Sequence, residues 1–235
     1  CRWVPLRDGS SLRVEIGPGR DAARLVGMVD EIDAEWARLC AGNPRYFNGP
    51  ILVVETMAED AGTASGVIRA RRGEFKHLAV RPAVETGVGQ LGVTGVLEAR
   101  DAAGEAFVLL GRRSAATRIF GGMWELGPSG GVDPPPASES AMDWQDVWRA
   151  LVEEIREEVG LAVEPDPAPP VALVDDPLGH SVEVVFRVQI VRPVEELAAD
   201  VESAAGTSRW EYDEVRWVGV GELGAFARAE RVIPA

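Results

Sequence analysis

The sequence predicts an α/β sandwich, and three observations carry that prediction. Gly-punctuated and alternating strand segments lie on both sides of one strongly amphipathic helix, DWQDVWRALVEEIREEVGL at 143–161. That helix pattern is closed by Gly160, and a further short helix pattern, 221–231, ends the chain. Mixed strands around one helix, with a helix at the end, bury their apolar faces best as packed layers. The 235 residues suffice for one large domain or a domain with an elaborated N-terminal lobe. The expected division is an N-terminal α+β lobe over 1–87, then the domain that carries the acidic helix over 88–235.

Taken in order, residues 12–16 (LRVEI) read as a short strand. Asp21 is placed to cap a helix running to Ala41, with Leu25, Met28, Val29, Ile32, Trp36 and Leu39 at helical spacing. NPRYFNGP at 43–50 is turn chemistry around Tyr46 and Phe47, which either pin the loop to the core or stack on a ligand. Residues 51–58 and 66–75 read as strands joined by the AEDAGTAS turn. Arg69, Arg71 and Arg72 on the second form a solvated face or reach a phosphate. LGVTGVLEAR and AFVLLGRRS are the next strands, followed by a Gly- and Pro-rich loop, RIFGGMWELGPSGGVDPPPASES. After the acidic helix come a Pro-rich passage at 165–170, strands VALVDDP and SVEVVFRVQIV, a polar helix near 194–205, and the loop and strand WEYDEVRWVGVGEL.

Composition excludes several functions. Acidic residues number 38 against 24 basic, a net charge of −14, which argues against sequence-independent binding of nucleic acid. No apolar run reaches the roughly 18 residues of a membrane helix. No signal or transit segment is visible, so a cytoplasmic location is expected. The chain begins with Cys1 instead of Met, as a trimmed or processed end would. Two cysteines, Cys1 and Cys40, form no disulfide framework, and two histidines, His77 and His180, no zinc spacing. Any metal would therefore have oxygen ligands, which favours Mg²⁺ or Mn²⁺. Basic residues are almost all Arg, Lys76 being the only lysine.

On a helical projection Glu154, Glu157 and Glu158 fall within an arc of roughly 100°. Trp148, Val152, Ile155 and Val159 gather about 120° away. Carboxylates so stacked repel by a few tenths of a kcal/mol per pair. Such a face either holds a cation or is simply solvated.

The segment EEIREEVGL at 153–161 resembles the box of the Nudix hydrolase family, whose signature ends REUXEEXGU, with U aliphatic. Glu154, Ile155, Glu157, Glu158, Gly160 and Leu161 occupy matching positions. VLLGRRS, MWEL and Gly130–Gly131 resemble the strand and glycine loop before the box, and WEYDEVRWVGVGEL the acidic loop and strand after it. Two features depart from the pattern. Glu153 stands where the box has arginine, leaving Arg149 or Arg156 to substitute, and PPPASESA lengthens the approach to the helix.

The resemblance implies a Nudix-type α/β/α sandwich with a mixed sheet, and a Mg²⁺-dependent pyrophosphohydrolase in which Mn²⁺ is a possible replacement. It implies Glu154 and Glu158 as principal metal ligands, with Glu157 as a third or water-mediated one. The base would come from Glu211, Asp213 or Glu214, unless these form only an acidic turn capping a strand. Arg112, Arg113 and Arg118 would meet phosphates, or are surface arginines at a strand end. Trp124 would stack on a base, or is core. Gly130 and Gly131 would bring backbone close to the substrate.

In plan the chain is also similar to the mammalian UDP-glucose/UDP-galactose pyrophosphatase branch of the family. The shared points are NPRYFNG, LGVTGVLEARD, the RRS strand, the insertion after Gly-Gly and the box without its arginine. That likeness implies hydrolysis of a UDP-sugar to UMP and sugar 1-phosphate by a monomer or homodimer. ADP-ribose or another nucleoside diphosphate derivative is the second substrate reading. A nucleotide-binding regulatory module of weak activity is the third.

Overall fold

A computed structural model describes residues 1–6, 8–18, 22–59, 66–162, 166–204 and 211–233. Its elements run β1 (Arg2–Pro5), β2 (Arg13–Gly17), α1 (Ala22–Val26), α2 (Val29–Gly42), β3 (Pro50–Glu59), β4 (Gly66–Glu74), α3 (Phe75–Ala79) and β5 (Gln90–Arg100). They continue with β6 (Ala106–Arg113), β7 (Trp124–Leu126), β8 (Ser129–Gly131), β9 (Ala141–Asp143), α4 (Trp144–Val159) and β10 (Ala172–Asp176). The last are β11 (Ser181–Pro193), α5 (Val194–Ala204), β12 (Tyr212–Gly219) and α6 (Leu223–Ala229).

The hub is β5, whose alternating apolar residues Leu91, Val93 and Leu97 are wholly buried. It pairs in parallel with β11, from Gln90↔Ser181 to Glu98↔Gln189. On its other edge it meets β8 first (Gly92↔Gly131) and then β6 (Glu98↔Val108), both antiparallel. The principal path is β1-β10-β11-β5-β3-β4-β2-β9, with β7 and β12 joined through β6. Parallel β2–β4 and β5–β11 pairs among antiparallel neighbours make the sheet mixed. Strands from before and after residue 88 interleave in it: β1 pairs β10, β2 pairs β9 and β3 meets β5.

Close approach sets the helix on this sheet. A methyl group on Gly95 would lie 2.9 Å from Leu151, so the glycine lets α4 rest directly on β5. Val147, Trp148, Leu151, Ile155 and Val159 thereby join β5 and β11 in one core. A second cluster, Leu25, Ile32, Ile51, Val53, Leu78, Val80, Val84 and Val88, fills the space beneath α2. A third holds Leu110, Trp124 and Val218 under Phe226. No helix among the described residues is long and apolar enough to cross a membrane.

The structure departs from the sequence reading at several places. The helix expected over 21–41 is interrupted at Gly27–Met28, where Met28 N–H donates to Leu25 O in a turn. Glycine costs about 1 kcal/mol inside a helix, and the break lets Leu25 and Ile32 bury in the same cluster. Asp21 and residues 60–65 of the turn lie outside the described residues. The strand expected over 66–75 stops at Glu74, and Phe75 opens a short helix. The three-residue strands β7, β8 and β9 were not legible, because pairing partners create them and propensity does not.

Candidate active site

Local chemistry builds α4. The Asp143 carboxylate accepts from Gln145 N–H at 2.8 Å and Asp146 N–H at 3.1 Å, while Asp146 accepts from Asp143 N–H at 2.9 Å. This reciprocal cap satisfies donors the first turn otherwise leaves unpaired. At the far end Gly160, with φ of +69°, closes the helix left-handedly. Between the caps, the apolar stripe faces the core and two of the three glutamates are drawn in beside it.

Glu158 is only 5% exposed. One of its oxygens accepts from Ser129 N–H at 2.9 Å, and no donor reaches the other. Burial pushes its carboxyl well above the usual range. The adjacent Glu211 carboxyl and the charge of Glu154 push it further. Glu154 lies directly on Gly130, where a Cβ would collide with its carboxylate. Burial, then Glu211, Glu157, Asp133 and Glu153, raise Glu154 to about 7. Glu157 instead faces solvent, its side chain 68% exposed, with Arg156 at 3.5 Å.

These features fit a divalent cation. Glu211 and the half-buried Glu154 both oppose ionisation of the buried Glu158, and a buried acceptor oxygen of Glu158 lacks a donor. The donors are all oxygen, which suits Mg²⁺ or Mn²⁺. Among the described residues no group of three or more His, Cys, Asp or Glu side chains converges closely enough to hold a metal. The inner pair is Glu154 and Glu158, and Glu157 stands apart from it.

Neither arginine suggested as a substitute at the box reaches this pair. Arg149 pairs with the capping Asp146, Arg156 with Glu157, and Glu153 is exposed. The backbone of β8 does the steadying, Ser129 through its N–H and Gly130 through its missing side chain. Gly131 is similarly filled by the Gln90 side chain. Gly130→Ala should therefore displace Glu154 and lower kcat about 10- to 100-fold at unchanged folding, checked by steady-state kinetics and circular dichroism.

In the acidic loop, the charge of Glu211 acts on Glu158 and Glu154, and its backbone carbonyl accepts from Ser114 N–H at 2.7 Å. Asp213 is exposed. Glu214 is occupied by Arg112 at 3.2 Å and by Arg216. Arg113 is committed to Glu125 at 2.6 Å, and Arg118 donates to Gly179 O at 3.2 Å. Trp124 is 1% exposed, edge-on to Phe226 at 5.2 Å, with Arg216 over its ring at 4.9 Å. It packs the third core cluster and presents no open face for a base. Arg71, expected on a solvated face, is 7% exposed beside Glu55 at 3.8 Å. Arg72 binds the carbonyls of Pro135, Pro136 and Glu139, so it anchors the inserted loop.

Three residues around the site were not singled out from the sequence. Tyr212 fills a slot left by Gly111 and Gly127 and donates its hydroxyl to Glu125 at 3.1 Å. Glu125 is the partner of Arg113 and sits in MWEL, where nothing local marks it as buried. Glu183 lies against Gly92, accepts from Thr94 at 3.3 Å and is raised by burial to about 7. The glycines in β5, β6 and β8 are the sequence signal for all of these close approaches, readable only once the pairing is known.

Comparison with known proteins adds to this geometry. A family model described as NUDIX domain matches residues 90–235. No curated protein matches the chain. Among solved structures, it is similar to the Nudix hydrolase RenU of M. smegmatis, at 20% identity and TM-score 0.40, over 61% of this chain and 76% of that one. It is similar to the NUDIX domain of Shewanella oneidensis NrtR, complexed with ADP ribose, at 18% identity and TM-score 0.40, over 60% and 77% of the two chains. A C. elegans Ap4A hydrolase is similar at 15% identity and TM-score 0.36, over 59% and 85%. The family model spans well over half of the chain, including the capped acidic helix and its glycine loop, and the chain belongs to the NUDIX domain family.

Proposed function

We propose that this protein is a Mg²⁺-dependent pyrophosphohydrolase, with Mn²⁺ as an alternative ion, acting on a nucleoside diphosphate linked to another group. The substrate favoured is a UDP-sugar, giving UMP and sugar 1-phosphate. One observation supports the hydrolytic reading: the half-buried Glu154 lies on the Gly130 backbone beside the buried Glu158, whose ionisation Glu154 and Glu211 both oppose and one of whose oxygens has no donor. The UDP-sugar assignment rests on the plan shared with that branch of the family, from NPRYFNG to the box without its arginine.

A bound divalent cation would offset the diphosphate's negative charge and lower the pKa of a coordinated water. Glu154 and Glu158 would hold it, with Glu157 as a third ligand directly or through water. Glu211 would take a proton from the attacking water, a part Glu214 is kept from by Arg112 and Arg216. Backbone N–H groups near Gly130 and Gly131 would approach the phosphates. Residues 88–235 would form the catalytic domain, and 1–87 the lobe that helps enclose the nucleotide, in a cytoplasmic monomer or homodimer.

A panel of UDP-glucose, UDP-galactose, ADP-ribose and other nucleoside diphosphate compounds, assayed with and without Mg²⁺, tests this. UDP-sugars should exceed ADP-ribose by at least about 10-fold in kcat/KM. A preference for ADP-ribose would overturn the substrate assignment. Nucleotide binding without any cleavage would leave a regulatory module.

A further inference from the structure

One buried ring joins the acidic loop to the strand that holds Glu158. Tyr212 is the first residue of β12, directly follows Glu211 and is 4% exposed. A methyl group on Gly111 of β6 would collide with its ring, and one on Gly127, just ahead of β8, with its hydroxyl. The hydroxyl donates to Glu125 at 3.1 Å, and Glu125 accepts from Arg113 at 2.6 Å. Arg113 donates in turn to Ile119 O at 3.2 Å, and it is the residue opposite Tyr212 in the β12–β6 ladder. A buried chain of bonds from tyrosine to glutamate to arginine, closed by two glycine contacts, leaves the ring little freedom.

Both flanks of the ring lead to the carboxylates. On one flank the Glu211 carbonyl accepts from Ser114 N–H at 2.7 Å. Past Tyr212 the ladder shifts register, with Asp213 the extra residue, as in a bulge that re-aims neighbouring side chains. The Glu211 backbone is therefore held by Ser114 on β6 and by the seated ring that follows it. On the other flank, Gly127 lies two residues before Ser129, whose N–H donates to Glu158 at 2.9 Å. Between them Pro128 O accepts from Gly95 N–H at 2.9 Å, which ties this approach to β5. The charge of Glu158 acts on Tyr212, and that of Glu211 on Glu158.

We infer that Tyr212 is a positioning residue for hydrolysis: its ring, seated on Gly111 and Gly127, sets Glu211 relative to the Glu154–Glu158 pair. The Glu125–Arg113 pair fixes the ring. This rests on the hydrolytic reading, with Glu211 as the group that takes the proton. A displacement of about 1 Å at a reacting group costs on the order of 100-fold in rate. Substrate binding is made by other groups, so the loss falls on kcat and leaves KM in place.

The test is a double-mutant cycle, read by steady-state kinetics on UDP-glucose, or on ADP-ribose if that is the compound cleaved. Tyr212→Phe keeps the ring and removes its bond to Glu125, and should lower kcat about 10-fold with KM within about 2-fold. Gly127→Ala forces the hydroxyl aside and should cost about 100-fold. The double variant should fall only to the level of Tyr212→Phe, because the methyl then takes the place of the hydroxyl, 3.1 Å from Cζ. Calorimetric titration of Mg²⁺ into each protein supplies a readout without turnover. Binding should stay within about 2-fold of wild type in Tyr212→Phe, since the ring acts on Glu211 and β8 still holds the metal pair. A wild-type kcat in Tyr212→Phe, an additive loss of about 1,000-fold in the double variant, or a loss of Mg²⁺ binding of about 10-fold in Tyr212→Phe would each overturn the inference. Should Tyr212→Phe fail to fold, Gly111→Ala, which presses on the ring from its other side, decides by the same split of kcat from KM. Failure of the hydrolytic reading would appear instead as a wild-type chain that cleaves no diphosphate, and would take this inference with it. An inactive Glu211→Gln beside an unimpaired Tyr212→Phe would strike this inference alone.

Discussion

Glu158→Gln should lower Mg²⁺-dependent hydrolysis by about 100-fold or more while making the metal-free protein more stable near pH 8. The two effects have one cause. Glu158 is buried with one oxygen unpaired, and burial, Glu211 and Glu154 all oppose its ionisation. An ionised carboxylate there is tolerable with a cation beside it and costly without one. Glutamine keeps an acceptor for Ser129 N–H, removes the charge, and with it the principal reason a cation would bind. Steady-state kinetics and thermal melts with chelator check both effects. A Glu158→Gln protein that melts below wild type without metal, or turns over at near-normal rate, would refute this account of the site.

Stability of the metal-free protein should fall as pH rises from about 4.5 to about 7, and divalent cation should restore it. Glu154 carries this prediction, raised from 4.5 to about 7 chiefly by burial and then by Glu211 and Glu157. Between those two values the folded chain holds a proton that the unfolded chain has released, so the unfolded state binds fewer protons and stability declines with pH. Above about 7 the decline from this group is complete. At roughly 1.4 kcal/mol per unit, the loss is at most on the order of 3 kcal/mol. Glu183, also raised to about 7, adds a decline of the same sign that metal at α4 leaves in place. Melts across pH 4–8, with and without Mg²⁺, separate the two. The Glu154 part, together with that of Glu158, should respond to the ion while the Glu183 part should not, and Glu154→Gln should reduce that response. A pH profile of Tm that is flat in chelator would contradict the prediction.

How much was legible follows from the range of each interaction. The acidic helix was placed within two residues at each end, because its cap Asp143, its terminator Gly160 and its apolar stripe act over one or two turns. The strands with alternating burial, β5 and β11, were read for the same reason. The short strands β1, β7, β8 and β9 and the break at Gly27–Met28 were not, since distant pairing and the packing of Leu25 with Ile32 decide them.

Along the chain Glu157 and Glu158 follow Glu154 by three and four residues, so all three share one face. Only the packing of α4 on β5 and β8 puts Glu154 against Gly130 and Glu158 against Ser129 N–H, leaving Glu157 in water beside Arg156. The arginines divide the same way. Arg112 and Arg113 find glutamates from β12 and β7, whereas Arg118 meets the backbone carbonyl of Gly179. By itself the sequence determined the family, the capped helix and the acidic residues gathered on one face of it, because these depend on neighbours in the chain. Tertiary structure alone decided which carboxylates are buried and which cations are neutralised, because burial and ion pairing are set by groups tens of residues away.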